Sequence, residues 1–195
     1  MPFFRKPEPT LVAEFQDASI RVALQAIFDS ANAQYSIAPE ISGIVTIRRT
    51  QLPLRKLLAA VLSQAPGTTE IVEEKGVTVV RTVNGKPVNL SQLQQQLSLV
   101  ESNAREKLKK LTPGTVLYRM SGYVKANQEL QAILEIGSPP QSEMLLVKVG
   151  AKVNSGVPAG GELSVVRITE QSIWLLSEGG QPTKVPLASF RFYQP

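Results

Sequence analysis

The 195-residue sequence contains no cysteine and no histidine. The first absence excludes a disulfide framework, thiolate metal ligands and thiol nucleophiles. The second removes the commonest general base and the commonest metal ligand. Aspartate is nearly absent: only Asp17 and Asp29 occur, both in one short stretch. Aromatic residues make up 6% of the chain, with a single tryptophan, Trp174. They do not interleave with the basic clusters as a nucleic-acid stacking platform would. No apolar run is long enough to cross a membrane as a helix. The N-terminal MPFFRKPEPT has no long apolar run after its basic residues, so it is not a complete signal peptide.

The sequence signatures of catalysis are missing as well. No glycine-rich loop is followed by the Lys-Ser/Thr pair that cradles a nucleotide phosphate, and no Gly-x-Ser-x-Gly elbow is present. Glu73 and Glu74 are adjacent in an expected hairpin, so their side chains point to opposite faces and share no proton. These absences predict a protein that is no enzyme, with no catalytic residues, no cofactor and no metal site.

What is present is the composition of a folded protein, 43% hydrophobic and 19% charged. The formal charge of +5 is spread along the chain, densest at Arg48–Arg49, Arg55–Lys56 and Lys107–Lys110. Such short runs read either as a solvated face or as contacts for an anionic partner.

The first ten residues hold three prolines and read as a tail. Residues 11–16 alternate weakly and predict a strand. Asp17 and Ser19 are candidate N-caps for a helix over 19–32, in which Ile20, Ala23, Leu24, Ile27 and Phe28 recur at helical spacing. Residues 35–37 form a short strand before Pro39. The β-branched segment 44–49 predicts another, with Val45 and Ile47 inward and Thr46 and Arg48 toward water. Pro53 suits the first turn of a second helix, whose apolar stripe is Leu54, Leu57, Leu58, Val61 and Leu62 and whose end is Pro66–Gly67. Strands at 69–74 and 77–83 close on a tight turn at Lys75–Gly76. The order is β-α-β-β-α-β-β. Two helices with single apolar stripes need a sheet to cover, which gives an α+β domain over 11–87.

Residues 88–111 are rich in Gln, Leu, Lys and Glu, with Leu90, Leu93, Leu97, Val100, Ala104 and Leu111 on a heptad-like seam. They predict a connecting amphipathic helix that packs on its own domain or mediates self-association. Residues 112–195 read as a small all-β barrel or sandwich, with strands expected at 115–125, 130–136, 144–149, 162–169, 172–178 and 183–187. In the hairpin 163–178, Val166, Ile168, Trp174 and Leu176 are expected on the buried face.

The segment from Leu11 to Val83 resembles the short N-terminal domain of secretins and TonB-dependent transducers. Phe15, Leu24, Ile37, Pro39, Gly43, Val45, Leu54, Leu57 and Leu62 fall where that family pattern places them. Residues 115–190 are similar to the β-domain of PilP-like pilus lipoproteins and of the type II secretion clamp protein. The similarity is carried by GYVKA, LQAILEIG, LLVKVGAKV, ELSVVRITEQSIWLLSEGG and KVPL. In the resembled systems, modules of these two kinds often meet across a protein interface.

The resemblance implies a non-enzymatic, periplasmic interaction component of a type IV pilus or type II secretion assembly. Its partners would be a secretin or inner-membrane pilus and secretion components. An export or membrane-anchor segment would then precede Met1; a native start at Met1 implies a cytoplasmic protein. Contact through an exposed strand edge is expected near 44–49 or 163–168, with Thr46, Arg48, Arg49, Val165 and Arg167 as partner-binding residues. Two other readings stay open. One is a periplasmic signalling domain contacting an anti-sigma regulator. The other is a cytoplasmic nucleic-acid binder, which the few, scattered aromatics disfavour.

Overall fold

The computed structural model describes residues 8–83, 116–138, 141–154, 161–188 and 191–193. The first half of the chain runs β1 (Thr10–Ser19), α1 (Ile20–Ser30), β2 (Tyr35–Ile37), β3 (Ile44–Pro53), α2 (Leu54–Leu62), β4 (Thr69–Glu74) and β5 (Val77–Thr82). The described elements of the second half are all strands: β6 (Val116–Ala126), β7 (Glu129–Ser138), β8 (Gln141–Val147), β9 (Lys152–Asn154), β10 (Glu162–Thr169), β11 (Ser172–Ser177), β12 (Thr183–Pro186) and β13 (Arg191–Tyr193). The described residues are thus mixed α+β and mostly strand.

The strands form a six-stranded sheet, ordered β3-β1-β6-β7-β8 with β13 also on β6, a four-stranded sheet β12-β11-β10-β9 and a three-stranded sheet β2-β5-β4. Alternation along β1 and β6 gives the largest sheet two buried faces. On one, Leu11, Ala13 and Phe15 of β1 join Ile20, Leu24, Ile27 and Phe28 of α1 and Leu57, Leu58 and Val61 of α2 in one core, to which β5 adds Val80. On the other, Tyr118, Met120 and Tyr123 of β6 pack with Leu134 and Ile136 of β7. The four-stranded sheet covers them with Leu163, Val165, Ile173, Leu175 and Val185. Each fully buried Leu, Ile or Phe contributes about 1.5–3 kcal/mol of burial free energy. The helical stripes therefore decide which face of the sheet α1 and α2 cover.

Local chemistry fixes the element ends. Helix α1 closes with Asn32 in a left-handed conformation (φ 51°). The Asn32 N–H donates to Asp29 and the Ala33 N–H to Phe28, at 3.1 and 3.0 Å, an arrangement that satisfies otherwise orphaned carbonyls. At the other end, Ser19 occupies the N-cap position, but its side chain makes no cap hydrogen bond. The first helical N–H, of Ile20, instead donates to the Gly43 carbonyl at 3.0 Å. Asp17, the other expected cap, lies within β1 in a left-handed conformation (φ 52°). The two-residue turns Lys75–Gly76 and Asn127–Gln128 have positive φ throughout, the twist-matched geometry of tight hairpins.

The sheet passes from one half of the chain to the other at β1 and β6. They pair antiparallel over Val12↔Lys125, Ala13↔Val124, Glu14↔Tyr123 and Phe15↔Gly122. Gly122 permits the approach: a methyl there would lie 2.6 Å from the Glu14 carbonyl oxygen and 2.8 Å from the Phe15 ring. A polar chain reinforces the junction. Buried Arg119 of β6 is ion-paired with Glu135 of β7 at 2.6 Å and with Asp17 of β1 at 3.7 Å. Glu135 also accepts from the Ser142 hydroxyl of β8 at 2.8 Å, and Asp17 from the Thr46 hydroxyl of β3 at 2.9 Å. Five strands of the sheet are tied by one run of side chains.

The structure corrects several expectations. The β10–β11 hairpin turns its other face to the core: Leu163, Val165, Ile173 and Leu175 are buried, whereas Val166 is 38% exposed and Ile168, Trp174 and Leu176 are half-buried. Both faces of this hairpin are apolar by composition, so alternation alone does not choose between them. A register shift between Val165 and Arg167 breaks the alternation further. Among the described residues the strands form open sheets, not a closed barrel. The short strands β9 and β13 were not anticipated. The expected helix at 88–111 lies outside the described residues.

A cleft over the junction of the two halves

The two-residue turn between β10 and β11 builds a concave polar site. The Thr169 hydroxyl takes hydrogen bonds from the N–H groups of Gln171 (3.3 Å) and Ser172 (3.1 Å) and donates back toward the Ser172 carbonyl at 3.1 Å. This side-chain clasp fixes the turn and aims Glu170 at the outer face of the junction. There Glu170 meets Arg49 of β3 at 2.8 Å and Lys125 of β6 at 3.2 Å. Each carboxylate oxygen is held by a different cation. An open cleft of about 770 Å³ lies here, lined by Glu14, Arg49, Tyr123, the 169–172 turn, Trp174, Lys184 and Leu187.

Trp174 lies in the middle of a cross-strand row, directly opposite Arg167 of β10 and Lys184 of β12. The Arg167 guanidinium carbon stands 4.9 Å and the Lys184 ammonium 5.4 Å from its ring centroid, within cation–π range. Tyr123 forms part of the floor and is fully buried. Its hydroxyl has no acceptor among the described residues; Arg49, which can only donate, is the charged side chain beside it. Burial, then the Glu170 and Glu14 carboxylates, push the phenol above its ordinary value, with Arg49 opposing. It is a neutral O–H donor at physiological pH.

The expected partner-binding residues divide three ways. Arg49 and Arg167 come together around the cleft, one lining it and the other stacked on its tryptophan. Thr46 and Arg48 are exposed on β3, an end strand of its sheet, in agreement with the predicted alternation. The backbone of Thr46 is already occupied, however. The Gln64 side chain accepts from its N–H at 3.0 Å and donates to its carbonyl at 3.1 Å, filling the place of a neighbouring strand. Val165 is only 1% exposed. Its N–H and C=O bond Ala151 and Gly150 at 2.8 and 2.7 Å. The edge expected at 163–168 is therefore covered through Val165, because β9 and the turn before it add to β10.

Sequence reasoning missed Glu170, Tyr123, Lys184 and the outward placing of Trp174. Thr169 followed two and three positions later by polar Gln171 and Ser172 signals a side-chain-clasped turn. No sequence feature signals that this turn faces β3 and β6. Among the described residues no group of three or more acidic side chains is gathered as a metal site would require. No family model, curated protein or solved structure matches the chain.

Proposed function

We propose that this chain is a non-enzymatic protein-binding component of a bacterial envelope assembly of the type IV pilus or type II secretion kind. In this reading it works in the periplasm, and a secretin or an inner-membrane component of the machine is its partner. The observation that supports it is the antiparallel pairing of β1 with β6. In the systems this sequence resembles, modules of two such kinds meet across a protein interface; here strand pairing joins the corresponding segments within one chain. The binding face is the exposed Arg48 and Arg49 side chains of β3, beyond the position that Gln64 occupies, together with the cleft that Arg49 lines. Affinity capture from detergent-solubilised envelopes tests the reading. Recovery of a secretin or inner-membrane pilus or secretion subunit is expected. Recovery of nucleic acid or an anti-sigma regulator in its place rejects it.

A further inference from the structure

We propose that the cleft is a carboxylate-binding site for an acidic segment of a partner protein, with Glu170 as its internal stand-in. This deepens the protein-binding reading and rests on it for the class of ligand. Three observations carry the inference. The first is the clamp itself, in which Arg49 and Lys125, from separate strands, each hold one oxygen of the Glu170 carboxylate. The site is thus already shaped for a carboxylate. It is also exchangeable: the Arg49 and Glu170 side chains are 64% and 26% exposed, and solvent-exposed pairs are worth only about 0.2–1 kcal/mol.

The second is Tyr123. The fully buried Tyr123 hydroxyl lies just beneath the cleft and has no acceptor for its proton among the described residues, since Arg49 beside it can only donate. Buried polar groups ordinarily find partners, and an incoming carboxylate supplies one. The third is the charge balance. Four cations (Arg49, Lys125, Arg167, Lys184) face two carboxylates (Glu14, Glu170). Among the described residues neither Arg167 nor Lys184 is ion-paired.

The same arrangement disfavours a nucleic acid. Arg167 and Lys184 cover the Trp174 ring, so a stacked base would have to displace them. Glu14 and Glu170 would also repel a continuous phosphate backbone, whereas carboxylates spaced along a peptide can avoid them.

Trp174 is the only tryptophan in the chain, so its fluorescence reads the cleft directly. The full chain is titrated with acetylated, amidated hexaglutamate, and with hexaglutamine and a short single-stranded oligothymidine for comparison. Calorimetry on the same mixtures covers a silent fluorophore. Hexaglutamate is expected to bind saturably, more weakly as salt rises, with hexaglutamine inert and the oligonucleotide weaker. Glu170→Gln removes the internal competitor and tightens binding roughly 1.4- to fivefold, the exposed-pair energy expressed as a ratio. Arg49→Gln and Tyr123→Phe weaken it, with circular dichroism unchanged. Hexaglutamate binding no better than hexaglutamine, weaker binding by Glu170→Gln, or preference for the oligonucleotide overturns the proposal. If hexaglutamate fails while an envelope subunit is still captured, the inference alone falls; failure of both removes the reading beneath it.

Discussion

Gly122→Ala tests the junction between the two halves of the chain. Gly122 has no left-handed φ, so an alanine there meets no backbone strain of its own. The conflict is one of approach. The new methyl would sit 2.6 Å from the Glu14 carbonyl oxygen, 2.8 Å from Phe15 Cδ1 and 3.1 Å from Phe15 Cα. Two of these are backbone atoms of β1, so a side-chain rotation cannot relieve the contact and β1 must move away from β6. Overpacking of this kind costs about 1–3 kcal/mol. Loss of unfolded-state freedom on replacing glycine offsets about 0.4–1 kcal/mol of it. A net loss of ~1–2 kcal/mol lowers the melting temperature of a chain this size by roughly 2–8 °C. Hydrogen exchange should localise the damage to 12–15 and 122–125, the paired positions, while the β4–β5 hairpin keeps its protection. Gly76→Asn is the control: its turn has open space around it, and asparagine tolerates positive φ. A melting temperature for Gly122→Ala within about a degree of wild type, with unchanged exchange at 12–15, would refute the described junction.

Other perturbations have equally definite outcomes. Arg119→Met leaves the mostly buried Glu135 without its cation and with only the Ser142 hydroxyl as a partner, since the two side chains of the pair are 10% and 15% exposed; a loss of about 3 kcal/mol is expected by chemical denaturation. Gln64→Ala frees the Thr46 backbone at the β3 edge. It should raise concentration-dependent self-association in sedimentation velocity, because unplugged edges pair. Burial and then Asp29 hold Tyr35 above the ordinary 10.0, as burial and then Glu170 hold Tyr123. The folded state therefore keeps these phenol protons more tightly than the unfolded chain. Their contribution is whole below the unfolded value near pH 10 and is lost as pH rises through the folded values. Denaturation midpoints measured from about pH 8 to about pH 11 should fall, and less so in Tyr35→Phe.

Much of the first half was legible because each element carries two agreeing signals. Leu57, Leu58, Val61 and Leu62 announce α2 by spacing, and Pro53 and Pro66–Gly67 announce its ends; the observed helix is Leu54–Leu62. Lys75–Gly76 lies between two β-branched runs, and the structure pairs Glu74 with Val77 across it. The second half shows where such reasoning stops. Its strands were recognisable, but the hairpin 163–178 offers aliphatics on both faces, and only the neighbouring sheet decides that Val165 and not Val166 is buried. The pairing of β1 with β6 joins residues more than a hundred positions apart. It depends on Gly122, a residue whose role is invisible until Phe15 lies opposite. The cleft is less legible still. Arg49 and Arg167 stood out as charged strand residues, but Glu170, Tyr123, Trp174 and Lys184 converge only through tertiary packing.

The proposed contact with another protein of an envelope assembly is through Arg48 and Arg49 of β3 and the adjoining cleft. Site-specific photo-cross-linking from positions 48 and 184 in intact cells, followed by mass identification, tests it most directly. Cross-links from both positions to one secretin or inner-membrane pilus or secretion subunit are expected, reduced by Arg49→Gln. Cross-links to nucleic acid or to an unrelated cytoplasmic protein, or none from either position while a distant surface site reacts, would contradict it.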